Sequence, residues 1–323
     1  MTIARVVDHA VPVEEFASDV HYYLSLQPKQ LPSRYFYDDL GSALFDAICR
    51  LPWYRITRAE TRLLAGHGEA VLSRVAGLTT IVELGPGSGE KLATLVEAGR
   101  PGHRPHLDLR LVDISRSALE LASRTVATLP EVSVATYQAR YETGLQQASA
   151  ETSGRQLVLF LGSNIGNFDR PGAGAFLRGV RAGMAGGDML LLGADLVKPE
   201  RDLLLAYEDP LGVTAAFNRN LLVRINRELG GTFDIDTFTH RAVWSPAESR
   251  VEMHLVSRVR QRVSVEAAAV DFVIERGESI WTESSYKYTP AGIVASLERA
   301  GFGLAEQWID EADGFALTLA EAR

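Results

Sequence analysis

The chain has 323 residues, of which 46% are hydrophobic, enough to bury the core of one large domain or two modest ones. Lys and Arg number 33 against 41 Asp and Glu, and the net charge of −8 argues against a nucleic-acid partner, whose phosphates favour a basic surface. The single cysteine, Cys49, excludes an intrachain disulfide and a cysteine-rich metal site. No signal-like segment opens the chain and no apolar run reaches membrane length, so we expect a soluble, cytoplasmic monomer with no membrane partner.

The first part of the chain is predicted to be helical, with one aromatic interruption. Residues 13–26 fit an amphipathic helix, and residues 31–42 are aromatic and polar without a period, which suits either a site-lining segment or a packed aromatic loop. Residues 42–50 predict a helix with Cys49 in its core. Thr57 predicts the cap of a helix over residues 58–72, and Glu60 completes a capping box.

A strand, a glycine-rich turn and a helix follow one another between residues 79 and 96. Glycines let a backbone approach a ligand closely, and a helix N-terminus offers N–H groups without intrahelical partners. The third glycine comes one residue earlier than in the dinucleotide fingerprint. The spacing E-x-G-x-G-x-G resembles motif I of S-adenosylmethionine (SAM) methyltransferases, with a dinucleotide site and a merely tight turn as alternatives. The cofactor residues predicted from this stretch are Glu83, Gly85, Gly87 and Lys91.

An acidic residue ends the second apolar strand, which covers residues 109–115. Asp113 lies 24 residues beyond Gly89, and an acid at this strand tip accepts hydrogen bonds from the ribose hydroxyls of a nucleoside. Its alternative role is to cap the helix over residues 117–128, a role that Ser115 is also placed to fill. The pairing with the glycine turn favours the ribose contact.

Three further strands complete a doubly wound pattern. They cover residues 132–137, 156–161 and 188–197, with a helix over 171–184 before the last. Arg140 and Tyr141 follow the first of them, where many SAM enzymes place an acid or an amide that reads adenine. The polar tip over residues 162–168 includes Asn167 and lies where substrate contacts are expected, because ligands bind at the carboxyl ends of parallel strands.

A long insertion interrupts this pattern before its last helix and hairpin. Residues 290–300 predict a helix, and 304–309 and 315–319 predict strands. The residues between Lys198 and Tyr288 contain two predicted helices (200–207 and 212–229) and four β-like runs (242–244, 250–263, 269–275 and 279–281). We therefore expect a class I SAM-methyltransferase α/β domain, Rossmann-like, over residues 59–197 and 289–323. Residues 1–58 and 198–288 are expected to form an α+β substrate-binding domain, with the cofactor at the strand tips between them.

Several motifs together resemble the L-histidine Nα-methyltransferases of ergothioneine biosynthesis, over about residue 30 to the end. The motifs are residues 36–38, 51–54, 82–85, 160–167, 193–198, 214–220 and 282–287. The resemblance implies an enzyme that methylates histidine with SAM, up to trimethylhistidine (hercynine). The sequence itself shows no constellation of metal ligands, and the pair Asp234 and Asp236 is interpreted as a turn in preference to a ligand pair.

The resemblance also assigns site residues. It implies that SAM is bound by Gly85, Lys91 and Asp113, and that Asn167 and Tyr207 hold the substrate carboxylate. It further implies that Tyr54 lies over the amino group and Tyr37 near the amine and the methyl group, so that these two tyrosines form the catalytic pair. The imidazole contacts that it implies are Glu283, Ser285 and Met253.

Two departures leave alternatives open. The chain has residues 54–58 where the family commonly has Tyr-Tyr-Pro-Thr-Arg, and Arg140-Tyr141 where the family has an acid before an aromatic residue. The second departure leaves the adenine contact unassigned. The alternative functions are a methyltransferase of another amino acid or amine, tryptophan-like substrates included, and a catalytically inactive SAM-binding regulator.

Overall fold

The computed structural model describes residues 13–99 and 106–323, and these fall into two compact units. The first contains Arg55–Val197 and Lys287–Arg323, and the second contains residues 13–54 and 198–286. Residues 55–58 and 287–288, which are predicted to lie in the second domain, belong to the first unit. Residues 1–12, also assigned to that domain, lie outside the described residues.

The secondary structure runs through both units in chain order. The N-terminal elements are α1 (Val13–Ser25), β1 (Lys29–Gln30) and α2 (Asp39–Cys49). Next come α3 (Arg55–Ser73), β2 (Leu78–Leu84), α4 (Glu90–Gly99), β3 (Leu107–Asp113), α5 (Arg116–Val126), β4 (Val132–Gln138), α6 (Tyr141–Ala150), β5 (Arg155–Phe160), α7 (Arg170–Ala182) and β6 (Met189–Asp195). The insertion holds α8 (Glu200–Tyr207), α9 (Val213–Leu229), β7 (Phe238–Ser245), β8 (Arg250–Ser257), β9 (Gln261–Val265), β10 (Val270–Ile274) and β11 (Ser279–Tyr286), and the chain ends with α10 (Pro290–Arg299), β12 (Phe302–Asp310) and β13 (Phe315–Ala322).

The first unit is built on a seven-stranded sheet of order β12-β13-β6-β5-β2-β3-β4. Strands β4, β3, β2, β5 and β6 run parallel, and β13 pairs antiparallel with both β6 and β12. This is the class I SAM-methyltransferase arrangement, so the fold-class prediction is confirmed. The strand order reverses at β2, and the carboxyl end of such a switch point is where open α/β sheets bind ligands.

Continuous apolar strands form the core of this unit. Every residue of β6 is buried, as are the last five residues of β2 and of β5, which is typical of parallel strands covered by helices on both faces. The strand tips are therefore the part of the sheet where polar groups meet the surface.

The second unit has its own sheets, which do not extend the seven-stranded sheet. One has four strands in the order β1-β11-β8-β7, and the other pairs β9 with β10. A buried polar network connects α9 to the four-stranded sheet. Thr282 Oγ1 donates to Asn218 Oδ1 over 2.7 Å, and Asn218 Nδ2 lies 2.9 Å from His240 Nδ1. Because these groups are buried, each contact removes an unsatisfied donor or acceptor from the interior.

Two local predictions are wrong. Helix α3 begins at Arg55, so Thr57 lies inside the helix, and Glu60 turns into the protein interior instead of completing a capping box. The run over residues 250–263 is two strands, because the chain turns between Ser257 and Gln261. Cys49 ends α2 and is half-buried. Within the described ranges, no helix is long and apolar enough to span a membrane.

We predict that the buried ion pair between Lys287 and Asp195 is a principal stability element of the first unit. Lys287 Nζ lies 3.0 Å from Asp195 Oδ2, and the two side chains are 0% and 2% exposed. Lys287→Met leaves a buried carboxylate without its cation, which costs about 3–5 kcal/mol of unfolding free energy. Urea unfolding measures this cost.

The double variant Lys287→Met with Asp195→Leu removes both charges and should recover most of the loss. As a control, Arg116→Gln removes an exposed partner of Glu120, and it should change stability by less than about 1 kcal/mol. A Lys287→Met protein as stable as the parent would contradict the prediction.

Candidate functional site

The glycine turn between β2 and α4 has a backbone that only glycine adopts readily. Gly85, Gly87 and Gly89 have φ values of +75°, +56° and +78°. A Cβ atom on Gly85 would lie 2.9 Å from the Tyr141 hydroxyl and 3.0 Å from Asn164 Nδ2, whereas one on Gly87 would have no described atom within 4 Å. The turn is therefore packed at Gly85 and open at Gly87, where a ligand can reach the backbone.

A buried carboxylate joins three segments behind this turn. Both oxygens of Glu60 accept from the Gly162 N–H, at 3.0 and 2.9 Å, and Glu60 Oε2 lies 2.6 Å from Lys91 Nζ. Glu60 is fully buried. It therefore fixes the first turn of α4 and the end of β5 to α3.

Glu83 brings a second carboxyl group into the same corner. It is 1% exposed, and Oε2 has no hydrogen-bond partner among the described residues. Burial raises its pKa to about 8, against the opposing effect of the nearby Lys91 cation. Glu83 Oε2 is therefore available as an acceptor for a bound cationic group.

Asp113 ends β3 beside the corner. Its Oδ1 accepts from the Ser115 N–H over 2.8 Å, and Ser115 caps α5. Asp113 is partly exposed to solvent, but neighbouring atoms enclose its carboxyl group, and this burial raises the pKa of the carboxyl group to about 6. Gln138 is its partner in the parallel register, with a buried Oε1 that has no partner among the described residues.

Arg140 and Tyr141 differ sharply in placement. Arg140 is the exposed N-cap of α6, whereas the Tyr141 ring contacts Phe160 and Phe176 with centroids 5.3 and 5.9 Å apart. Burial raises the pKa of the Tyr141 hydroxyl, so it stays protonated. Tyr141 thus belongs to the glycine corner, and Arg140 points to the surface.

The segment after β5 forms a tight polar turn. Gly162 and Ser163 both have positive φ, +75° and +59°, and a 3-10 turn over Asn164–Asn167 follows. Ser163 Oγ accepts from the Asp195 N–H over 2.9 Å. Ser163 is a non-glycine residue in the left-handed region, a conformation that persists only where the surrounding structure fixes it. Asn167 lies at the end of this turn.

In the second unit, one face of the β8–β11 pair collects three of the predicted substrate residues. Glu283 is the cross-strand partner of Met253, and Ser285 is the partner of Val251 two positions on. Cross-strand partners share a face, and side chains two apart on a strand return to it. A bulge between Trp281 and Glu283 sets this register, so Ser284 faces the opposite side.

Aromatic rings continue from this face. The Tyr207 hydroxyl donates to Ser285 Oγ over 2.7 Å, and the Tyr54 ring lies 6.4 Å from the Tyr207 ring. Phe45 lies 6.4 Å from Tyr54 and 5.6 Å from Tyr37, whose ring also contacts Phe217. The five rings (Tyr37, Phe45, Tyr54, Tyr207 and Phe217) are hereafter the aromatic cluster.

The structure therefore sorts the predicted site residues into two sets. The first unit holds Glu83, Gly85, Gly87, Lys91, Asp113, Arg140, Tyr141 and Asn167, and the second unit holds Tyr37, Tyr54, Tyr207, Met253, Glu283 and Ser285. Among the residues that the structure describes, no group of three or more His, Cys, Asp or Glu is placed to hold a metal.

Known proteins resemble this chain over nearly its full length. A family model described as histidine-specific methyltransferase, SAM-dependent, matches residues 16–322. The chain belongs to this family. It is 43% identical to a histidine N-alpha-methyltransferase of Mycobacterium tuberculosis, over 94% of this chain and 93% of that protein, and 40% identical to one of Mycolicibacterium smegmatis, over 95% of each. It is 28% identical to ergothioneine biosynthesis protein 1 of Neurospora crassa, over 79% of this chain and 31% of that protein.

Sequence reasoning missed Glu60 and Gln138. Glu60 was interpreted as a helix cap because its spacing from Thr57 fits that motif. Gln138 stands two residues before Arg140, and its place at the end of a buried strand, next to an arginine that does not fit the adenine contact, is the signal that could have identified it. The SAM dependence of the family requires a nucleoside-binding corner, and the unpartnered oxygens of Glu83 and Gln138 fit a ligand that brings its own donors.

We predict that Asp113→Ala weakens SAM binding about ten- to a hundredfold, because hydrogen bonds to a charged group contribute roughly 1.5–3 kcal/mol. Protonation removes the same acceptor, so the SAM dissociation constant of the parent protein should rise as the pH falls through about 6. Titration calorimetry between pH 5 and 8 measures both effects.

Asp108→Ala is the matched control, since Asp108 lies on the same strand but away from its carboxyl end. It should keep both the affinity and the pH profile. Equal SAM affinity for Asp113→Ala and the parent protein would remove Asp113 from the cofactor site.

Proposed function

We propose that this protein transfers methyl groups from SAM to the α-amino group of L-histidine, up to trimethylhistidine (hercynine), as a step of ergothioneine biosynthesis. The observation that carries the proposal is the face of β8 and β11 that presents Met253, Glu283 and Ser285 together. An acid and a hydroxyl on one apolar face suit an imidazole, whose two ring nitrogens each need a partner.

In this proposal the cofactor lies at the glycine corner. Lys91 binds the carboxylate of SAM. Glu83 binds the cationic groups of SAM, because its Oε2 atom has no hydrogen-bond partner among the described residues and is available as an acceptor. Asp113 accepts from the ribose hydroxyls, and Gly85 and Gly87 let the backbone approach. Tyr141 packs at the adenine position. SAM supplies the methyl group on a sulfonium, and because the sulfur leaves as a neutral thioether, its departure needs no acid.

The substrate residues divide by the part of histidine that they bind. Glu283 and Ser285 bind the ring and Met253 packs on it, while Asn167 and Tyr207 bind the carboxylate. Because the Tyr207 hydroxyl donates to Ser285 Oγ over 2.7 Å, the Ser285 proton is directed elsewhere, and a ring nitrogen that lacks a proton can accept it. An indole ring lacks such an acceptor, which disfavours tryptophan.

Methyl transfer itself is an in-line displacement that depends on alignment and on a neutral amine. The pKa of the amine of a free amino acid lies above neutrality, and partial removal from water lowers it, which favours the neutral form that attacks. Tyr37 and Tyr54 supply oxygens as acceptors, and their rings stabilise the growing ammonium charge by cation–π contact. Tyr54 is buried within the aromatic cluster, and its contact with the Tyr207 ring keeps it in place.

Two features of the proposal concern the protein as a whole. We propose that it acts as a monomer in the cytoplasm, with the composition and charge of the chain as the support. The competing functions are methylation of another amino acid or amine and SAM binding without catalysis.

A panel of the twenty amino acids with radiolabelled SAM tests the function. Histidine should accept label, and mass spectrometry should detect mono-, di- and trimethylated products. Transfer to another amino acid in preference to histidine would favour the first competing function. Absence of any S-adenosylhomocysteine formation by protein that binds SAM would favour the second.

We predict that Ser285→Ala and Glu283→Ala raise the KM for histidine about tenfold or more, because a buried polar ring atom without a partner costs roughly 1–3 kcal/mol. SAM affinity should stay unchanged in both. Glu283→Ala should also relax discrimination against tryptophan, since no carboxylate then faces an apolar ring. Steady-state kinetics with both amino acids measures this.

Ser284→Ala is the matched control for Ser285→Ala, because the two serines are neighbours on β11 that face opposite sides of the sheet. Ser284→Ala should keep the parental KM. Equal KM values for all three variants and the parent would place the imidazole site elsewhere.

A further inference from the structure

A cavity of about 420 Å³ lies within the first unit, between α7 and α10 and above β6. This volume is within the range of about 300–1,000 Å³ that small-molecule sites occupy. None of the residues assigned above to SAM or histidine lines the cavity. Gly174 and Gly292 are among its lining residues, and they contribute no side chain that would fill it.

The rim of the cavity is cationic. Arg170 and Arg178 lie two turns apart on one face of α7, and Arg299 lies on α10. Across the described residues, neither Arg178 nor Arg299 has a carboxylate within ion-pair distance, and no Asp or Glu is among the residues that line the cavity. The rim therefore carries a local excess of positive charge in a chain whose net charge is −8.

The floor of the cavity is apolar. Ile165, Leu177, Leu192 and Ile293 line it, and each of them is at most 2% exposed. An apolar floor below a guanidinium rim matches a molecule with an apolar body and one anionic group, since arginine binds carboxylates and sulfonates through paired N–H donors.

We propose that this cavity binds a small amphipathic anion, an apolar body that bears a carboxylate or a sulfonate. The anionic group contacts Arg178 and Arg299, and the apolar body enters between α7 and α10. This site is separate from the residues proposed to bind SAM and histidine, so its occupant is a third ligand.

The position of the cavity gives that ligand a route to the proposed catalytic residues. Ile165 and Tyr288 both line the cavity, and the Tyr288 hydroxyl donates to the Ile165 carbonyl over 3.1 Å. Ile165 belongs to the Asn164–Asn167 turn. An occupant that presses on Ile165 or Tyr288 therefore shifts Asn167 and with it the KM for histidine, a consequence that rests on the proposed role of Asn167.

The binding test uses 8-anilinonaphthalene-1-sulfonate as the probe and its uncharged analogue N-phenyl-1-naphthylamine as the ligand control. Fluorescence titrations are carried out with saturating S-adenosylhomocysteine, so that the cofactor site is filled. We expect the sulfonate to bind at least tenfold more tightly than the neutral analogue. Arg178→Gln with Arg299→Gln should reduce sulfonate affinity about tenfold and leave the neutral analogue unaffected.

Two further variants complete the test. Arg116→Gln with Arg124→Gln removes the same charge from α5, which does not line the cavity, and should keep the parental affinities. Ala295→Trp fills the cavity and should abolish binding of both probes. If the α7–α10 arginine variant and the α5 variant bind the sulfonate equally, the proposed site is wrong, and this outcome does not depend on the folding of Ala295→Trp.

The coupling is tested separately by histidine kinetics with and without the sulfonate at saturating SAM. We expect the sulfonate to change the KM for histidine at least twofold in the parent protein and not in the α7–α10 arginine variant. An unchanged KM with the sulfonate bound would overturn the coupling. Failure of the protein to methylate histidine would overturn the proposed function and leave the fluorescence result intact.

Discussion

The cofactor corner depends on one buried carboxylate. Glu60 accepts from the Gly162 N–H with both oxygens and pairs with Lys91, so α3, the first turn of α4 and the end of β5 meet at a single side chain. A fully buried carboxylate is stable only when hydrogen bonds and a counter-charge replace the water that it has lost. The same requirement that keeps Glu60 in place therefore also sets the position of the glycine turn and of the polar turn after β5.

The two units use polar groups in different ways. In the first, burial raises the pKa of the Glu83 carboxyl to about 8 and that of the Asp113 carboxyl to about 6, so a ligand that brings a cation to Glu83 and hydrogen-bond donors to Asp113 stabilises their ionised forms. In the second, the face of β8 and β11 presents one carboxyl group, Glu283, and one hydroxyl, Ser285, beside Met253 and the aromatic cluster. The first arrangement suits a charged cofactor, and the second suits a flat ring that carries both a donor and an acceptor.

The sequence predicted the parallel sheet well, because glycine spacing and continuous apolar runs are local signals. Glu83, Gly85 and Asp113 were located in this way, and the alternation of Glu283 and Ser285 predicted their shared face. The bulge before Glu283 was not predictable, since it depends on the register with β8. The role of Glu60 was not predictable for a similar reason, because its partners Lys91 and Gly162 lie 31 and 102 residues away in the sequence. Its spacing from Thr57 also fits the pattern of a helix cap.

The most direct test of this account is the affinity of Glu60→Gln for SAM, measured by titration calorimetry beside Glu69→Gln, which alters an exposed residue of the same helix. A glutamine has nearly the same shape but no negative charge, so it removes the ion pair with Lys91, and its amide NH2 places donor hydrogens next to the Lys91 cation or the Gly162 N–H. The account predicts a folded Glu60→Gln protein whose SAM affinity is about ten- to a hundredfold weaker, in line with roughly 1.5–3 kcal/mol for charge-assisted hydrogen bonds, and a Glu69→Gln protein with parental affinity. Parental SAM affinity in Glu60→Gln would contradict the claim that this carboxylate organises the cofactor corner.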